Sequence, residues 1–232
     1  MDSILERLPL VFAQFLPFMI AIVFHEAAHA FVAAKHGDFT ARDLGRETLN
    51  PLPHIDPIGT VAFPFFGMLT GIPVLFGWAK PVPINYNRLK PYRRGLFLVS
   101  MAGIIMNFIL SFFSAGIFVL LKIVPEFYLT EPFVIMTQAS ISINLWLAFF
   151  NLIPLPPLDG SKAIEAFLSY DKVRKFESIQ QYSFFILMGL ILSGALSVLQ
   201  GPVFAIANGF IRIWVWMAQT VGVGLFSGFG AF

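Results

Sequence analysis

Residues 8–34, LPLVFAQFLPFMIAIVFHEAAHAFVAA, run for 27 positions with one charged side chain, Glu26. A helix of that length is long enough to cross a hydrocarbon layer of about 30 Å. The pattern recurs: residues 95–121 carry no charge, nor do residues 133–153 or 182–200, and residues 202–220 carry only Arg212. Charged residues make up 12% of the chain, about half the fraction of a soluble domain. The bilayer therefore replaces the usual soluble core. The fold class that follows is all-α and polytopic, with five to six transmembrane helices. There is no internal repeat or linker, so residues 1–232 read as one membrane-embedded domain.

A formal charge of +2 without a basic tail gives nucleic acid nothing to bind, so the expected surroundings are the lipid bilayer. There are no cysteines, so any metal must be held by His, Asp or Glu. The N-terminus MDSILERLPL lacks a clearly positive region, and its apolar run continues unbroken, as a retained helix would rather than a cleaved signal.

Basic residues set the expected topology. Lys80, Arg88, Lys90, Arg93 and Arg94 precede one span, and Lys162, Lys172, Arg174 and Lys175 precede another. Both clusters belong in the cytoplasm by the positive-inside rule. Residues 59–77 are apolar but broken by four glycines and two prolines. If they crossed, the 80–94 cluster would lie outside. A re-entrant excursion with five full crossings resolves the parity, since irregular backbone at membrane depth is tolerated under protein cover.

The polar cluster inside the first run carries the chemistry. His25 and His29 are four residues apart, on one helical face a turn apart. This is the H-E-x-x-H spacing, in which two histidines bind zinc and Glu26 is placed as general base. Ionisable groups in lipid cost about 3 kcal/mol each unless paired. The bland alternative is a set of polar groups satisfied by a neighbouring helix. Counted from Pro9, His25 lies sixteen residues in, about 24 Å deep and toward the cytoplasmic face.

Catalytic zinc usually takes three protein ligands. The candidates are His36, His54, Asp56 and Asp159. Asp159, in PLPPLDG, sits at the depth of the two histidines, but could equally N-cap a following helix. His54 and Asp56, in HIDPIG, look more like a turn. Asn151 could donate to a developing oxyanion or tie helices. Asn107, Ser111 and Asn144 read as helix ties. Arg212 reads as a snorkelling side chain or the partner of a loop carboxylate.

HEAAH at 25–29, NLIPLPPLDG at 151–160, NPLPHIDPIGT at 50–60 and FGWAKPVPIN at 76–85 together resemble the site-2 protease family of intramembrane zinc metalloproteases. The last two resemble its compact prokaryotic members without a PDZ domain. The resemblance implies one zinc per chain held by His25, His29 and Asp159, with Glu26 activating water. It implies that Asn151 helps to bind substrate or stabilise the intermediate. It also implies a membrane-associated β-hairpin near residues 76–85 that offers an edge to an unwound substrate. Substrates would be single-pass membrane proteins or leftover signal peptides, cut in or near a transmembrane segment. The enzyme would sit in the cell membrane with its active site toward the cytoplasm. One departure is Ile104, where family members often carry proline, and altered helix packing is expected there. The alternative from another class is an intramembrane metal or proton transporter built on the same His/Glu/Asp cluster.

Overall fold

The computed structural model describes residues 4–70, 79–123 and 130–220. Helix α1 (Ile4–Lys35) is the first long span. Its inward face is built of small residues: Ala21, Ala27, Ala30 and Ala33 have no exposed surface. Small side chains let helix backbones approach closely, which is how helices associate where lipid removes the hydrophobic drive. Leu10, Leu16, Ile20 and Phe31 are exposed, as a lipid-facing side requires.

After the short α2 (Thr40–Asp43), the loop reaches Asp56, whose carboxylate accepts the backbone N–H groups of Ile58 and Gly59. This cap starts a wide turn over Pro57–Ala62 that leads into α3 (Phe63–Thr70). Phe65 packs edge-on against Phe12 and Phe15, centroids 6.3 and 6.5 Å away. The segment thus runs beside the first half of α1, and among the described residues its apolar helix is shorter than a membrane span. Residues 71–77 of the expected re-entrant excursion lie outside the described residues.

Helices α4 (Tyr92–Ile123) and α5 (Thr130–Asn151) form the centre. Ala115, Phe118 and Val119 of α4 bury against Ile141 and Leu145 of α5. Polar ties run between them. Ser111 Oγ donates to the Ile141 carbonyl at 3.2 Å, and the Ser114 and Ser140 hydroxyls meet at 2.7 Å. Then follow α6 (Asp159–Glu165), α7 (Tyr170–Glu177), α8 (Ser183–Leu192) and α9 (Gln200–Thr220). Trp214 of α9 donates to the Phe112 carbonyl at 2.8 Å, and its ring covers Gly116, where a methyl group would come within 2.6 Å of it.

Two expectations are not confirmed among the described residues. Among the described residues four helices are long and apolar enough to cross, not five or six. The apolar run 182–200 is not one helix: α8 is ten residues, about 15 Å, and the chain turns at Gly194, which takes a left-handed φ of 72°. Hydropathy alone does not register that break. The β-hairpin near 76–85 is not seen either: no described residue is in a strand, and residues 76–78 lie outside the described residues. Residues 79–85 form a strap without regular secondary structure, pinned largely by side chains. Pro81 and Pro83 have no N–H, so a regular ladder has few donors there.

Candidate metal centre

On α1 the one-turn spacing of His25 and His29 brings the two Nε2 atoms to 3.1 Å. Asp159 arrives from the other side of the fold as the first residue of α6. Its Oδ2 lies 3.1 Å from His25 Nε2 and 3.2 Å from His29 Nε2. The proline-rich return that carries it turns so tightly that a side chain at Gly160 would collide with the Leu152 carbonyl. Asp159 caps nothing: the cap position is Leu158, with no side-chain cap bond.

The protons can be traced from a backbone carbonyl, which only accepts. Ser140 O accepts from Asn144 Nδ2 at 2.9 Å, so Asn144 Oδ1 is the acceptor that receives Asn107 Nδ2 at 2.8 Å. Asn107 Oδ1 therefore faces His25 Nδ1, 2.6 Å away, and the ring nitrogen must donate. His29 Nδ1 likewise donates to the Val99 carbonyl at 2.7 Å. In neutral rings both Nε2 atoms are then lone pairs, aimed at each other and at Asp159 Oδ2. That oxygen is buried and has no hydrogen-bond partner. Three acceptors converging in a buried site require a positive charge between them.

A zinc ion fits this donor set. Ligand atoms 2.0–2.1 Å from a tetrahedral ion are about 3.3 Å apart, and the observed edges are 3.1–3.2 Å. Two imidazoles and a carboxylate form the only group of three or more such side chains within ligand distance among the described residues.

Glu26 follows His25 directly. Its Oε2 accepts the backbone N–H of Val82, in the strap, at 2.7 Å. Its other oxygen has no partner among the described residues, so one side of the carboxylate is anchored and the other available.

The remaining candidates stand apart from the cluster. His36 Nδ1 bonds the Val32 carbonyl at 2.9 Å, one turn back. His54 is wholly buried and bonds the Thr48 carbonyl at 2.9 Å, and Asp56 is the helix cap described above. Asn151 ends α5 and donates to the Leu147 carbonyl of its own helix at 3.0 Å. Arg212 is exposed on α9 and forms no ion pair among the described residues.

Sequence reasoning missed two contributors. Gly103 of α4 lies against the His25 ring, where a methyl group would come within 2.5–2.6 Å of three ring atoms. Asn107 does tie helices, as read, but it also sets the His25 tautomer. The available signal was the small pair Ala102–Gly103 one turn before Asn107 in a span.

The profile of peptidase family M50 matches residues 125–194, the stretch that carries Asn151 and Asp159. A Bacillus subtilis protein named "Putative zinc metalloprotease YwhC" is 37% identical over 75% of this chain and 78% of its own length. "Putative zinc metalloprotease Rip2" of Mycolicibacterium smegmatis is 26% identical over 77% of the chain and 66% of its own length, and its Mycobacterium tuberculosis namesake is 27% identical over the same shares. No solved structure matches. With the YwhC similarity extending over most of both chains, this chain belongs to peptidase family M50, the site-2 protease type that its motifs resemble.

Proposed function

We propose that this M50 peptidase is an intramembrane zinc metalloprotease that hydrolyses peptide bonds in or near transmembrane segments of single-pass proteins or spent signal peptides. The observation that carries the reading is the convergence of His25 Nε2, His29 Nε2 and Asp159 Oδ2 within 3.1–3.2 Å, next to Glu26, in a membrane-length helix. His25, His29 and Asp159 would hold one zinc. Zinc bound there supplies Lewis acidity, which polarises a carbonyl and acidifies water.

The chain's own residues do the rest. Glu26, anchored through Oε2, takes a proton from the attacking water with its other oxygen and returns it to the leaving amine nitrogen. A substrate helix must unwind first, because its carbonyls are tied in the helix ladder. The strap supports that step: the carbonyls of Val82 and Pro83 and both backbone groups of Ile84 have no hydrogen bond among the described residues, so an extended peptide has partners there. Asn151 keeps one amide hydrogen and its Oδ1 for substrate. The basic segments flanking the site favour a cytoplasmic orientation. The transporter alternative has no comparable support, since every similar protein named above is a metalloprotease by name.

The test is cleavage of a synthetic single-pass peptide, its helix weakened by Asn and Gly, by detergent-purified chain. Glu26→Gln should retain zinc and lose activity by roughly two to four orders of magnitude. Full activity in zinc-loaded Glu26→Gln would remove Glu26 from the reaction.

A further inference from the structure

We infer that Arg46, far from the zinc-ligand motifs in sequence, is a positioning residue for the general base, acting through a single peptide group of the strap. The inference rests on the protease reading above. The Pro81–Val82 peptide is trans and planar, so its carbonyl oxygen and its N–H point in opposite directions. The N–H donates to Glu26 Oε2 at 2.7 Å. The carbonyl of the same peptide accepts from Arg46 Nη1, also at 2.7 Å. Arg46 Nη2 takes the neighbouring Lys80 carbonyl at 2.6 Å. A guanidinium and a carboxylate thus hold the two ends of one peptide unit. The cation polarises the carbonyl, which strengthens the N–H as donor to the carboxylate.

The surrounding chain fixes both ends. Gly45 adopts a left-handed φ of 66°, and Arg46 N returns to the Ala41 carbonyl at 2.8 Å, which sets the root of the arginine. Val82 packs on Ala30 and Ala41, so the peptide is seated against α1 and α2. Lys80 N bonds the His54 carbonyl at 3.0 Å, and Asn85 N bonds Asp38 Oδ2 at 2.7 Å. Because Pro81 and Pro83 have no N–H, Val82 supplies the only donor at the point where the strap crosses Glu26. Arg46 decides which way that donor points. With its carbonyl unclamped, the peptide can rotate, and the anchored oxygen of Glu26 loses its fixed place beside the metal ligands.

The experiment uses the full chain, loaded with zinc, and the same synthetic single-pass peptide. Arg46→Ala should lower kcat about ten-fold, the scale of a lost charge-assisted hydrogen bond, with zinc content unchanged and KM within about two-fold. Arg46→Lys, one ammonium in place of a fork, should fall between wild type and Arg46→Ala. Arg42→Ala removes the same charge from a side chain paired with Glu47 and should change nothing. A second readout needs no catalysis. The chain has no cysteine, and Val82 is 8% exposed, so a thiol introduced by Val82→Cys reports the seating of the strap alone. It should react with a thiol reagent several-fold faster when Arg46→Ala is added. Unchanged kcat in Arg46→Ala, unchanged thiol reactivity, or loss of zinc in step with kcat would each overturn the assignment. A wild-type chain with zinc but no cleavage would instead overturn the protease reading, and the thiol measurement would still decide the clamp.

Discussion

Gly103→Ala adds one methyl group to α4, and the structure says where it goes: 2.5 Å from His25 Cε1 and 2.6 Å from both ring nitrogens. Ordinary contact begins at 3.4 Å, so ring and helix must separate by 0.8–0.9 Å. The ring has little freedom to retreat. Its Nδ1 is held by Asn107 at 2.6 Å, and Ala21 and Ala27 on the same helix are fully buried. Metal–ligand distances tolerate about 0.2 Å, so a displacement of this size takes His25 out of register with His29 and Asp159. We expect zinc affinity to fall about 10–100-fold, with overpacking costing about 1–3 kcal/mol of fold stability. The assay is zinc per chain in competition with a chelator of known affinity, with thermal unfolding run alongside. Gly209→Ala on α9 is the control, because nothing lies within 4 Å of the added group. Wild-type zinc affinity in a folded Gly103→Ala chain would refute the reasoning, since it would mean that His25 is not held where α4 can touch it.

Asp159→Ala should cost most of the bound zinc, measured by elemental analysis, whereas Asp56→Asn should leave zinc unchanged because Asp56 caps the wide turn at Pro57; zinc indifferent to Asp159 would send the third ligand elsewhere. Asn107→Leu removes the acceptor that fixes the His25 tautomer and should weaken zinc about 10–100-fold in the same competition assay, with Glu26 untouched.

Much of the site was legible because its information is local. The four-residue spacing of His25 and His29 fixes a shared helical face whatever the tertiary fold, and the charge-free run around them says they are buried. Asp159 was less legible: a carboxylate before glycine is as good a cap as a ligand, and only the return of the chain past Leu152 distinguishes the two. The spans at 8–34, 95–121 and 133–153 were readable from hydropathy, because length and continuity decide them. The run 182–200 was misread because one glycine at φ 72° breaks it, and a glycine in an apolar run is as common in an intact membrane helix as in a turn. The hairpin reading came from the resemblance of FGWAKPVPIN, part of which lies outside the described residues. A strand needs a neighbouring strand, and in residues 79–85 most of the backbone partners are side chains, those of Glu26, Asp38 and Arg46.

What sequence could not supply was the order in which polar groups face one another across helices. The chain from Ser140 through Asn144 and Asn107 to His25 involves three helices, and each link has meaning only because the previous one is fixed. Read as separate residues, Asn107 and Asn144 are helix ties in lipid. Joined in sequence they point a lone pair of His25 at Asp159, the first residue of α6. The same polar row therefore holds α1, α4 and α5 together and prepares a cation site between α1 and α6. A buried set of acceptors is costly without its cation. A cation held there would therefore join the Asp159 return to α1 more firmly than packing alone.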